Sequence, residues 1–376
     1  RVGMRGSPAT SANISLVSTE SYSIRRLFWI AIIFSSTGWF FELLPMVVWF
    51  NGAQLIKSLL AFQAVLTLIL FLSMLQQDRG FGYFLILLIV AIVPAFASAA
   101  SSVLGIFVGL FIVLLHEWHP WIRSKKARKK TNRIQFLLAG LVTTIVFIGL
   151  LWEGGVKPTW RPLVTSGQVK GSSLEKTEAF FDHLPSVLAI FDWDTAIYSS
   201  VARVSSGVGY FSHIIDRVPE ILPHEKGFFT WRTIEHITVP RFLFPDKPNL
   251  GSDSWMIITY AGLPAAGLEQ MTSIGSGYMS QFYIDWGVPI MFVPLFFYGL
   301  IIGFIYKLLR RLSPSYNFFR ATVIALFVGH FAGYESEIAK ALGGLIMQAM
   351  FFAAILYTIG PWLHRKLLVR ESKSVS

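Results

Sequence analysis

Eight stretches of mostly apolar residues punctuate this chain, at 27–50, 55–75, 81–100, 101–118, 134–152, 283–308, 319–333 and 341–363. A bilayer core about 30 Å thick takes about 20 apolar residues of α-helix to cross, and inside it only helices or closed barrels satisfy every backbone polar group. The expectation is therefore an all-α, polytopic membrane protein with about eight transmembrane helices. Charged residues make up only 14% of the chain, against roughly 25% in a soluble domain. The third and fourth runs abut through Pro94 and the small residues 95–102, which suits either a tight hairpin or a span followed by a re-entrant segment. The first run follows Arg25 and Arg26 without a cleavage site and reads as an anchor, not a removable signal. A start at Arg1 suggests upstream residues, with or without further spans, and Met4 is an alternative start.

Three parts follow: N-terminal membrane helices over 1–152 (about five spans), a long loop over 153–282, and C-terminal membrane helices over 283–376 (about three spans and a tail). The loop holds ten Lys and Arg against thirteen Asp and Glu, so the net charge of +11 arises elsewhere. It concentrates in the short connectors 123–133, 307–311 and 365–366. Short basic loops stay cytoplasmic. Counting spans both ways from 123–133 puts both termini in the cytoplasm and the long loop on the opposite face, which the resemblance given below makes the periplasm. The basic run reads as a topology signal in contact with lipid headgroups, so no nucleic acid is expected. Absence of cysteine excludes thiolate nucleophiles and iron–sulfur or zinc–thiolate sites. No His or Asp cluster has metal-ligand spacing, and Gly275-Ser276-Gly277 is a turn and not a nucleotide fingerprint. Neither a metal nor a cofactor is expected.

Within the loop, 154–173 is rich in Gly, Pro, Ser and Thr and is expected to be irregular or strand-like. A helix is expected over 173–191, kinked at Pro185, and two further amphipathic runs over 195–218 and 228–239 suit the bilayer surface. Then comes Pro240-Arg241-Phe242-Leu243-Phe244-Pro245-Asp246-Lys247-Pro248. Its prolines fix φ and hold the backbone extended, which pre-positions Arg241 and Lys247 for a phosphate. Arg203 and Arg217 lie on the second run. If Gly207–Gly209 breaks it, both guanidinium groups can converge on one pyrophosphate. The alternative pairs Arg203 with Asp194 or another loop acid, and Arg217 with Asp216 or Glu220. Trp231, Arg232, Glu235 and His236 suit sugar recognition, although an interfacial Trp equally serves as an anchor. Groups able to take a hydroxyl proton are His213, Asp216, Glu235, His236 and His224, the last in a turn. Glu42, His330 and Glu335 fall in or near spans, where an ionisable group faces a cavity or snorkels from a span end; His330, between Gly329 and Gly333, also suits helix packing.

The stretch 239–248, closing a long outer loop with Pro-Arg-aromatic and Pro-Asp-Lys-Pro elements, resembles bacterial O-antigen polymerases of the Wzy type, the oligosaccharide repeat-unit polymerases. Ser273-Ile274-Gly275 and Gln281-Phe282-Tyr283-Ile284-Asp285-Trp286-Gly287 resemble that family's approach to its next span, with Gln281 where Glu is common and Asp285 where Asn is common. The likeness covers roughly 195–310. It implies a metal-independent, GT-C-like glycosyltransferase at the outer face of the inner membrane. A glycan would pass from undecaprenyl pyrophosphate to the terminal sugar of another lipid-linked repeat. Arg203, Arg217, Arg241 and Lys247 would hold the pyrophosphate, with Trp231 and Tyr283 beside the substrate and Asp216, His213 or His236 as base. The implied partners are the lipid-linked oligosaccharide, membrane lipids and a chain-length regulator protein. An O-antigen ligase shares the donor chemistry. A flippase or transporter of lipid-linked sugars and a non-catalytic scaffold are the other readings, and no duplicated halves of the transporter kind are visible.

Overall fold

The computed structural model describes residues 21–42, 53–97, 103–121, 128–169, 173–239, 244, 250, 252–265 and 274–369. Among these residues the chain is all-helical, with one isolated β-bridge between Tyr22 and Leu368. The N-terminal half runs through α1 (Ile24–Glu42), α2 (Ala53–Gln77), α3 (Phe81–Ala97), α4 (Val103–Trp121) and α5 (Arg128–Leu151). α2 is the central column, packed on α1, α3, α4 and the C-terminal helices. Nearly every described side chain from Val65 to Leu75 is buried, as expected of a helix that is apolar all round. Its few hydroxyls turn inward: Thr67 Oγ1 donates to the Gln63 carbonyl at 2.9 Å and Ser73 Oγ to that of Ile69 at 2.8 Å, so neither is left unmet in an apolar setting.

Among the described residues three helices are long and apolar enough to cross a membrane: 134–164, 292–312 and 338–358. The first of the three continues beyond its expected end. α5 passes through a π-helical turn (Trp152–Val156) into α6 (Lys157–Thr165), so 154–165 is helical where an irregular or strand-like segment was expected. The reason is packing. A Cβ on Gly154 would fall 2.6 Å from that of Ala196, and one on Gly155 2.9 Å from Val187 Cγ1. These glycines serve close helix approach, not turns.

Three further helices follow, α7 (Ser173–Ala189, passing through Pro185), α8 (Trp193–Arg217) and α9 (Phe228–Thr238). Asp192 caps α8 by accepting from Thr195 N at 2.7 Å, the local bond that favours Asp before a helix. α8 does not break at Gly207–Gly209; Gly207 instead lets it lie against Tyr334, whose ring a Cβ would meet at 3.2 Å. The short α10 (Ser254–Met256) leads through a π turn to Gly262.

The expected span 283–308 is divided. α11 (Gly277–Trp286) stops at Gly287, which has φ +63°, ahead of Pro289, and α12 (Phe292–Leu312) starts afresh. A left-handed glycine and a residue without an N–H both end helices. Then come α13 (Tyr316–Ala332), α14 (Ile338–Thr358) and α15 (Gly360–Leu367). The two ends of the described chain clasp: Ser23 N donates to the Leu367 carbonyl at 2.9 Å and Val369 N to that of Ser21 at 3.0 Å. Tyr22 Oη also hydrogen-bonds with Ser315 Oγ at 2.6 Å. Residues 21–23 and 367–369 therefore lie together, beside the start of α13.

Candidate functional site

At the other end of α13, five elements meet around the turn 333–337. Gly275 and Gly277 bring the start of α11 onto this turn. Gly277 N donates to the Glu335 carbonyl at 3.0 Å, and a Cβ on Gly275 would fall 1.9 Å from that oxygen. With the backbones this close, the side chains of Glu335 and Glu337 are presented to α8 and α9.

Three cations converge there, each on a carboxylate. Arg203 Nη2 of α8 lies 2.7 Å from Glu335 Oε2. Arg232 Nη1 of α9 lies 3.3 Å from Glu337 Oε1, while its Nη2 donates to the Leu250 carbonyl at 3.1 Å. Lys340 Nζ, one turn into α14, lies 2.5 Å from Asp253 Oδ1. Asp253 Oδ2 in turn accepts from Glu337 N at 3.4 Å, joining the pairs through the first turn of α14. The guanidinium of Arg232 also sits 6.0 Å from the Phe228 ring centroid, within cation–π range.

The electrostatics are uneven. The Glu337 side chain is 2% exposed, and burial pushes its carboxyl above the usual range, with Asp253 reinforcing the rise and Arg232 and Lys340 opposing it. Burial likewise raises the Tyr334 phenol, helped by Glu335. Gln281 of α11 is fully buried; its Oε1 accepts from Ile338 N at 2.6 Å. Its Nε2, and Glu337 Oε2, have no hydrogen-bond partner among the described residues. Buried polar atoms are rarely left so.

The residues singled out from the sequence do not form one cluster. Arg203 finds a distant acid, Glu335, where the local alternative was Asp194. Arg217 packs its guanidinium against Gly262, whose Cβ would lie 2.8 Å from Arg217 Cζ, and its Nε is buried without a partner among the described residues. His213 and Asp216 are exposed on α8, Trp231 is 65% exposed on α9, and His236 is half-buried there. Tyr283 is a buried strut: its hydroxyl donates to the Val218 carbonyl at 2.8 Å, and the Phe211 and His224 rings pack on it edge-on. Asp285 is structural as well. It accepts from Phe229 N at 2.9 Å and from Thr230 N and Oγ1 at 2.7 Å each, capping α9 from a distant helix. Arg241 and Lys247 lie outside the described residues.

Sequence reasoning missed Asp253, Glu337 and Lys340. The signal available for the last two was a Glu-x-Glu pair before an apolar helix, with Lys340 three residues beyond Glu337. Asp253 carried none. His330, expected to face a cavity or a packed helix, hydrogen-bonds through Nε2 with Tyr298 Oη between α13 and α12. Among the described residues no group of three or more His, Asp or Glu is arranged to hold a metal ion. No family model, curated protein or solved structure matches the chain.

Proposed function

We propose that this protein polymerises lipid-linked oligosaccharide repeats, transferring a glycan from undecaprenyl pyrophosphate to the terminal sugar of another repeat at the outer face of the inner membrane. The observation that carries the reading is the gathering of Arg203, Arg232 and Lys340 at one helix turn, each on a carboxylate. A departing pyrophosphate needs cations where its charge develops. A phosphate can take the place of a carboxylate on a guanidinium with the same bidentate geometry.

In this reading α1–α5 and α12–α14 make eight spans, the loop 153–282 is periplasmic, and both ends of the chain are cytoplasmic. The clasp of 21–23 on 367–369 supports a common side for the two ends. α8 and α9 then lie along the outer bilayer surface, where exposed Trp193, Tyr198 and Trp231 suit the headgroup zone. Arg241 and Lys247 follow shortly after α9 in sequence and are proposed as further phosphate contacts.

The test is purified protein in lipid nanodiscs given a synthetic undecaprenyl-pyrophosphate repeat. Longer lipid-linked glycans are expected. No extension, with transfer only to a lipid A core, makes the protein a ligase. Unextended substrate carried across a sealed bilayer makes it a flippase.

A further inference from the structure

The reaction proposed above needs a group to accept the proton of the attacking hydroxyl, and of the bases expected from the sequence His213 and Asp216 are exposed on α8 and His236 is half-buried on α9. Two atoms with no partner among the described residues flank the first turn of α14 instead. One is an acceptor, Glu337 Oε2; the other is a donor, Gln281 Nε2. Gln281 is held there because its other amide atom accepts from Ile338 N at 2.6 Å, and Glu337 is the residue immediately before. An orphaned donor and an orphaned acceptor together match one chemical group, a hydroxyl, which accepts through its oxygen and donates through its hydrogen.

We propose that Glu337 is the general base of the transfer and that Gln281 orients the acceptor sugar hydroxyl onto it. This rests on the polymerase reading. The amide of Gln281 donates to the hydroxyl oxygen, and Glu337 Oε2 takes the hydroxyl proton. The oxygen forms a bond to the anomeric carbon of the donor glycan while the bond from that carbon to the pyrophosphate oxygen breaks. The electron pair leaves with the pyrophosphate, whose charge Arg203, Arg232 and Lys340 meet. Arg232 and Lys340 are 26% and 31% exposed, and the acceptor reaches the buried carboxylate past them.

Burial suits the role, because a carboxyl raised above its usual range is a stronger base once ionised. The charged groups acting on it are Arg232 from α9, Asp253 beside α10 and Lys340 from α14, while Glu335, two residues earlier, is paired with Arg203 of α8. Of these, Arg232 and Lys340 oppose the rise and Asp253 adds to it.

The experiment measures chain extension by the full-length protein in nanodiscs across about pH 5 to 9, the range over which a poised carboxyl base titrates. Wild type is expected to lose rate on the acidic side as one group protonates. Glu337→Gln is expected to lower kcat by about 100-fold or more, to leave KM for the donor lipid nearly unchanged, and to abolish the acidic limb. Glu337→Asp keeps the charge opposite Arg232 but withdraws the oxygen by about 1 Å, and is expected to lose up to about 100-fold in kcat while keeping the limb. Gln281→Met is expected to raise KM for the acceptor more than it lowers kcat. The proposal is overturned if Glu337→Gln keeps an acidic limb or more than about a tenth of the wild-type kcat. Should Glu337→Gln not fold, a flat wild-type profile, or Glu337→Asp at the wild-type rate, overturns it equally. Wild-type protein that extends nothing sinks the polymerase reading itself, whereas active wild type with active Glu337→Gln sinks only the base.

Discussion

Helices α9 and α11 pack together, and two carboxylates beside them, Asp285 on α11 and Glu337 just before α14, are treated in opposite ways. At the start of α9, Asp285 accepts three hydrogen bonds from Phe229 and Thr230, and Trp286 Nε1 adds a fourth link to Thr230 Oγ1 at 3.2 Å. One turn along, α9 presents Arg232 to Glu337, and Gln281 of α11, four residues before Asp285, accepts from the N–H of the next residue, Ile338. Here one carboxylate oxygen is paired and the other is not, and the amide nitrogen is idle. A satisfied buried network rigidifies a fold, while a partly satisfied one costs stability unless something else fills it. The first junction is built to stay closed. The second retains capacity for a ligand, on a frame that the first holds still.

The most severe way to break this comparison is to separate α11 from the 333–337 turn, which disrupts both junctions together. Gly275→Ala would place a methyl 1.9 Å from the Glu335 carbonyl oxygen, a backbone atom fixed by its own bond from Gly277 N. Overpacking against a side chain costs about 1–3 kcal/mol, and here nothing flexible yields. The expected outcome is loss of monodisperse protein on gel filtration at 37 °C. Gly209→Ala, where a Cβ meets nothing within 4 Å, is expected to behave as wild type.

A smaller change separates the two junctions. Asp285→Ala removes the cap from α9 and strands two backbone N–H groups, at a cost of about 2–3 kcal/mol from lost capping and unmet donors. Thermal unfolding is expected to shift down while extension per folded molecule stays within a few-fold of wild type. Glu337→Gln is expected to show the reverse pattern, with a modest thermal shift and the turnover lost. If Asp285→Ala abolished turnover in protein that remains folded, the division into frame and site would be wrong.

Much of this frame was legible beforehand, and the reason is physical. Apolar runs of span length have few choices of fold, so every expected apolar run contains helix among the described residues, although the run 283–308 is split between α11 and α12. The amphipathic runs of the loop also became α7, α8 and α9, because local capping by Asp192 and helical spacing act over a few residues. Misreadings arose where one residue type serves two purposes. Gly154 and Gly155 signal backbone freedom in isolation, and only the neighbouring Ala196 and Val187 reveal that they are there for lack of a side chain. The site was less legible for a related reason. An ion pair has no periodicity, and Arg203 gives no sign along the chain that its acid is Glu335 and not Asp194. Glu335 stood out because it interrupts apolar sequence, but Asp253 sits among polar neighbours and becomes distinctive only when α14 places Lys340 against it.

The mildest change in stability sharpens the comparison most for function. Arg203 is 56% exposed where it meets Glu335, and an exposed ion pair contributes about 0–1 kcal/mol in water. Arg203→Ala is therefore expected to shift the thermal transition by no more than a few degrees. Its effect on transfer is expected to be far larger than its effect on folding, because a cation that meets the leaving pyrophosphate acts where charge develops, and losing one such contact costs about 100-fold or more. Arg203→Lys keeps the charge but not the two-pronged geometry and should fall between them. The measurement is kcat for chain extension beside the melting temperature of the same preparation. If Arg203→Ala extends chains at the wild-type rate, the Arg203–Glu335 pair belongs with Asp285 as framework, and the pyrophosphate must be met by Arg232, Lys340 and the cations that follow α9.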